Sequence, residues 1–294
     1  MSPTDDLSHL RLSTAESAEE LARRLEQEDR VLQRQREWAL ESADLKRVGS
    51  VPYLNAAPLT RGLEDQIVFA PPAELAVMLR EGRLDAALVS SADVLLNDTC
   101  DILDGIAIAS LGEVRSVVLA HRRPLAELTE IYCDPASITG LHLLKVLLAE
   151  RGLQPVFRPL TSYAEAARLD AFLIIGDPAL DFVLAPHEHE IWDLGAAWYE
   201  LTSLPFVYAV WALRRAADTR ELRRVLREAK DFGLDTLEHI IRSRPEYTYE
   251  FRKDYLGWHI HFHLGADERR GLAKFAELLR KHGLGLIHEP QYVV

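Results

Sequence analysis

From residue 47 onward, short apolar runs alternate with segments of helical spacing. Val48-Gly49-Ser50-Val51, Ile67-Val68-Phe69-Ala70 and Asp85-Ala86-Ala87-Leu88-Val89 have strand length, and Ala73 to Arg80 between them reads as a helix. Further strands are predicted at 106–109 and 117–120. A second cycle follows, with strands at 130–133, 156–158 and 171–175 and a helix over 140–150. Pro205 to Leu213 reads as a long, fully apolar strand. The remainder is helical, over 219–242, 248–256 and 267–282, with Arg244-Pro245 separating the first two. Strands alternating with helices predict βαβ units and parallel sheets.

Residues 1–46 follow a different grammar, with few apolar and many charged positions. Ser13-Thr14-Ala15-Glu16 and Ser17-Ala18-Glu19-Glu20 both fit the Ser/Thr-x-x-Glu capping box. Leu21, Leu25 and Leu32 lie near one helical face, which predicts a helix over about residues 15–41. Such a helix is a solvated appendage, or an arm packed on the body or on a second copy in a homodimer. The whole pattern predicts a two-lobed α/β protein with an N-terminal helical extension (1–46). Residues 47–116 and 207–294 form lobe 1, and 117–206 form lobe 2. A ligand cleft is expected between the lobes, at the carboxyl ends of strands.

Composition narrows the partners. Lys and Arg number 34 against 46 Asp and Glu, a net charge of −12, and no basic run occurs. That balance argues against nucleic acid and against an anionic membrane surface, and leaves a small-molecule substrate. The two cysteines, Cys100 and Cys133, form no Cys-x-x-Cys motif. No run of about 18 apolar residues is present, and the polar, acidic start lacks the pattern of a secretory signal, so a cytoplasmic protein is expected. No Gly-x-Gly-x-x-Gly, Walker or Gly-x-Ser-x-Gly motif appears, and no cofactor is predicted.

Candidate chemistry sits where strands end. Tyr53 and Asn55 lie in the Pro52–Pro58 loop after the first strand, and the Asn55 amide can both donate and accept. Ser90 and Ser91 follow the third strand and Ser110 the fourth; Ser137 and Thr139 precede a helix, and Gly176-Asp177 follow another strand. Free N–H groups and a partial positive charge let a helix start hold a carboxylate without Lys or Arg. Taken singly, each of these hydroxyls also fits a helix N-cap. His259, His261 and His263 alternate, and a strand there would place three imidazoles on one face. No acidic residue stands at a recognised spacing, so they read as packing or surface histidines. His187-Glu188-His189-Glu190 reads as a solvated loop, and no metal site is predicted.

The segment Val48-Gly49-Ser50-Val51-Pro52-Tyr53-Leu54-Asn55-Ala56-Ala57-Pro58-Leu59 resembles the opening of the chorismate dehydratase family of the futalosine route to menaquinone. Similar blocks follow in order: Leu79 to Ser91, Ile108 to Val117, Ile175 to Leu180, Asp193-Leu194-Gly195, Trp198 to Thr202 and Leu204 to Val207. The resemblance spans about residues 47–285. It implies a type II periplasmic-binding-protein-like fold used as a hydro-lyase, converting chorismate to 3-[(1-carboxyvinyl)oxy]benzoate. It also implies Asn55 beside the reacting ring, with Tyr53, Ser90, Ser91, Ser110, Ser137, Thr139, Gly176 and Asp177 holding substrate. The family usually has a second Ser after the Ser-x-Thr of the second lobe, where Gly140 stands here. The alternatives are 1,4-dihydroxy-6-naphthoate synthase of the same route, whose Asn-Asp-Thr is matched here only by the displaced Asn97-Asp98-Thr99, and a non-catalytic solute-binding protein.

Overall fold

A computed structural model describes residues 45–294 and seven positions between 23 and 34. Most of the helix expected over 15–41 lies outside the described residues. The seven positions are helical, and among them Val31 is buried against the main core.

The described strands are β1 (Val48–Ser50), β2 (Val68–Phe69), β3 (Ala86–Ser90), β4 (Cys100–Ser110), β5 (Val117–His121), β6 (Glu130–Cys133), β7 (Val156–Pro159), β8 (Ala171–Ile175), β9 (Glu190–Asp193), β10 (Phe206–Arg214) and β11 (Tyr292–Val293). They form two sheets, ordered β11-β4-β10-β3-β1-β2 and β7-β6-β8-β5-β9. The expected parallel pairs occur in both sheets, but each sheet is mixed. β10 runs antiparallel to both β3 and β4, and β5 antiparallel to β8 and β9. A continuous apolar run such as 206–213 reports burial on both faces and carries no sign of direction.

The chain passes between the sheets twice, from Ser110 to Val117 and from Thr202 to Phe206. Each crossing contains a non-glycine residue in the left-handed region, Arg115 (φ 63°) and Ser203 (φ 56°). Asp193 braces the first crossing. Its carboxylate accepts from Val114 N at 3.1 Å and Arg115 N at 2.7 Å while capping the helix Leu194–Thr202 through Gly195 N and Ala196 N. Trp198 braces the second. Its indole N–H donates to Pro205 O at 3.1 Å, and its ring meets Phe206 edge-on at 5.1 Å. Helix Ala266–Lys281 lies so close to this turn that a Cβ on Gly271 would stand 2.0 Å from Pro205 O.

Other differences from the sequence expectation are local. The helix expected over 219–242 divides at Thr236 into Arg220–Asp235 and Leu237–Ser243. The Thr236 hydroxyl donates back to Phe232 O, which satisfies one carbonyl at the break. The helix expected over 248–256 runs from Tyr249 to Asp254 and widens into a π turn, Tyr255–His259. The segment 187–190 is not wholly solvated. His189 is buried, its Nε2 bonds Leu169 O at 2.8 Å, and its ring packs edge-on against Phe172 and Phe182.

Candidate functional site

A cavity opens where the two sheets meet, with about 610 Å³ of space counted out to its mouth. None of the residues lining it is charged. Its walls mix apolar side chains, among them Val51, Leu88, Ile108 and Ile175, with Tyr53, Asn55, Ser90, Ser116, Ser137 and Thr139.

The loop after β1 turns into a short 3₁₀ helix, Leu54–Leu59, which presents Asn55 to the cavity. The Oδ1 atom of Asn55 is buried and has no hydrogen-bond partner among the described residues. The Tyr255 phenol comes from the opposite side of the chain order and faces Ser116 and Asn55, without an aligned hydrogen bond to either. Burial raises its pKa well above the ordinary phenol value, so it is a protonated donor at neutral pH.

Across the cleft, the helix Ile138–Ala149 points its first turn at the cavity. Ser137 stands at its N-cap position, and its Oγ is buried with no partner. A side chain at 140 would crowd this hydroxyl, since a Cβ on Gly140 would stand 2.2 Å from Ser137 Oγ. Thr139 and Ser90 join the lobes. Their hydroxyls are hydrogen-bonded to each other, Thr139 N donates to Ser90 Oγ at 2.8 Å, and Ala92 N donates to Thr139 Oγ1 at 3.0 Å.

A second bridge lies at the mouth. Asp177, in the first turn of the helix Gly176–Leu184, accepts from Leu54 N at 3.0 Å. Burial pushes its carboxyl up to about 6, against the opposing pull of the Leu54 N–H and the Arg244 charge. Gly176 has φ +65°, and a Cβ there would stand 3.0 Å from the Tyr53 ring, so both backbone and space demand glycine. Burial, with Asp134 and Asp177 nearby, lifts the Tyr53 phenol to about 12.

Thus Tyr53, Asn55, Ser90, Ser137, Thr139 and Gly176 meet at one cavity. Ser91, Ser110 and Asp177 are not among its lining residues. The Ser91 hydroxyl donates to Val207 O at 2.6 Å and ties a helix start to β10. Ser110 donates to Gly112 O and shares a hydrogen bond with the Tyr208 hydroxyl, which itself reaches the cavity. Sequence reasoning missed Ser116, Tyr208 and Tyr255. Ser116 and Tyr208 fall inside blocks whose pattern explained them as crossover and strand; Tyr255, in the π turn, carried no motif.

The histidines separate. His259 sits in the π turn and bonds Glu113 O at 3.0 Å. His261 and His263 stay together, and the fold brings Glu268 beside them, an acidic partner that chain spacing had not revealed.

Comparison with known proteins places these observations in context. Residues 46–281 match a protein family described as menaquinone biosynthesis. The chain is 33% identical over 255 residues to the chorismate dehydratase of Thermus thermophilus, covering 79% of this chain and 94% of that protein. An Archaeoglobus fulgidus crystal structure superposes with a TM-score of 0.65 at 19% identity, over 81% of this chain and 97% of that one. The periplasmic aliphatic sulphonate binding protein SsuA of Escherichia coli gives 0.54 at 15%, over 84% and 93%. The structural likenesses establish a periplasmic-binding-protein-like fold.

Proposed function

Because the chain belongs to the menaquinone-biosynthesis family, we propose that the inter-lobe cavity binds chorismate and eliminates water from it. The protein is a carbon–oxygen lyase, a chorismate dehydratase, and its product is 3-[(1-carboxyvinyl)oxy]benzoate. The finer assignment, to the futalosine route, rests on the resemblance of the Tyr53-Leu54-Asn55 and Trp198–Val207 blocks.

The observation that carries the reading is the uncharged, part-polar cavity with two buried oxygens, Asn55 Oδ1 and Ser137 Oγ, that the protein itself leaves without partners. Chorismate has two carboxylates and a ring hydroxyl. The first turn of the helix Ile138–Ala149 offers one carboxylate the Ser137 hydroxyl and the positive end of the helix, Thr139 N being already bonded to Ser90 Oγ. Such an arrangement holds an anion with neutral dipoles. A buried carbonyl without a donor costs about 1–3 kcal/mol, and the substrate hydroxyl can supply that donor to Asn55.

The reaction removes the proton at C3 and the hydroxyl at C4, forming one new C=C bond that completes the aromatic ring; the proton and hydroxide leave as water. None of the described lining residues is a carboxylate or an imidazole. The nearby acids are engaged, Asp177 with Leu54 N and Asp134 with the Tyr163 hydroxyl. The base is therefore assigned to the substrate's own enolpyruvyl carboxylate, folded over the ring by the closed cavity. Asn55 then serves the departing hydroxyl, its amide N–H donating as the C–O bond breaks.

Replacing Asn55 tests this directly. Asn55→Ala is expected to bind chorismate within a few-fold of the parent but to lose on the order of 10²-fold in kcat. Undiminished turnover would remove Asn55 from the chemistry. Binding of chorismate with no aromatic product from the parent protein would overturn the enzymatic reading itself.

A further inference from the structure

Residues 261–268 bring together three groups that the cavity does not use. His261 is fixed by backbone bridging to β4: Ala109 N donates to His261 O at 3.0 Å and His261 N to Ala109 O at 2.7 Å. Two residues on, the His263 ring stacks on that of His261, with centroids 5.5 Å apart and planes within 14°. Glu268 lies in the first turn of the helix Ala266–Lys281 and is buried. Its Oε2 accepts from Gly265 N at 2.9 Å, and its Oε1 is 3.2 Å from Nε2 of His263. One donor atom from each of the three residues lies within 4.8 Å of the others. The Nδ1 atom of His261 is buried and has no hydrogen-bond partner in the protein.

We propose that His261, His263 and Glu268 form a binding site for a divalent transition-metal ion of the zinc class. Two imidazoles and one carboxylate suit zinc, whereas magnesium and calcium favour all-oxygen shells. Three protein ligands leave a fourth tetrahedral position for water. At bond lengths of about 2.0–2.2 Å the donor atoms must draw in to roughly 3.3 Å of one another. His263 supplies that movement, because its side chain is 58% exposed while that of Glu268 is 5% exposed. The Gly265 N–H on the second carboxylate oxygen aims Glu268, as outer-shell donors aim ligands in metal sites. The ion would fasten the tail and the start of helix Ala266–Lys281 to β4 beside Ser110.

The experiment is a zinc titration followed by calorimetry on the full chain after treatment with chelator. One zinc ion per chain is expected, and cobalt in its place should show ligand-field absorption typical of tetrahedral sites. His261→Ala and Glu268→Gln should each weaken zinc binding at least about tenfold, the scale of loss seen on disturbing metal sites. Glu268→Gln keeps an acceptor for Gly265 N, and His263→Ala alters an exposed ring, so both are expected to fold. Substoichiometric zinc, or unchanged affinity in Glu268→Gln and His263→Ala, overturns the proposal. Unchanged affinity would assign the ion to other histidines such as His187 and His189.

Discussion

Asp177→Asn isolates the electrostatics of the cleft mouth. The native carboxylate is largely shielded from water and titrates near 6, so its charged form is disfavoured on folding. Burial is the main cause; Glu246 and Asp181 add to it, while the Leu54 N–H and Arg244 oppose it. An unperturbed Asp titrates near 3.9. Between about pH 4 and 6 the folded protein therefore holds a proton that the unfolded chain has released, and stability falls as pH rises through that window. Two pKa units amount to about 3 kcal/mol as an upper limit. Asn at 177 retains an oxygen for Leu54 N–H and carries no charge. Urea unfolding of both proteins from pH 4.5 to 7.5 measures the effect. The stability of the parent, relative to Asp177→Asn, should decline by about 2 kcal/mol across that range. A flat difference would refute the reasoning. A rise with pH would show that the Leu54 N–H holds the carboxyl below its ordinary value and dominates burial.

Asp193→Ala removes two backbone N–H acceptances at the first crossing and two at the start of the helix Leu194–Thr202, and is expected to destabilise by about 2–4 kcal/mol, read as a lowered urea midpoint. Ser137→Ala and Ser91→Ala should behave oppositely. The Ser137 hydroxyl has no protein partner, so its loss is expected to leave stability within about 0.5 kcal/mol and to weaken chorismate binding, measured by calorimetry. Ser91→Ala leaves Val207 O without its side-chain donor and is expected to cost about 1–2 kcal/mol in stability, with chorismate affinity nearly unchanged.

What the sequence made legible followed strong periodicity and local motifs. Val48–Ser50, Ala86–Ser90 and Val117–His121 are apolar runs that could hardly be anything but buried strands, and they carry the cavity's polar groups at their ends. β9 and the helices starting at Gly176 and Leu194 were missed because they are short and their apolar residues are interrupted by Asp and Glu. The first half of β4 was missed for a similar reason: Cys100-Asp101-Ile102-Leu103-Asp104 has its acidic groups bonded by Arg215 and Arg269, contacts more than 100 residues away in the chain. At the site, the difference between Ser90 and Ser91 could not be read from sequence at all. Adjacent positions at the end of a strand point different ways, and only the packing of β10 decides which hydroxyl faces the cleft and which serves the backbone.

The paired crossings at 110–117 and 202–206 act as two pins on one door. Among the bonds that hold the lobes together across the cleft are Ser90, Ser91 and Ala92 with Thr139, Leu54 with Asp177, and Tyr247 with Asp177 and Asp181. Each such bond opposes opening by about 1 kcal/mol, so the open form is a minority state. A chemical staple between positions 90 and 139 is then expected to hinder access with Asn55 left untouched.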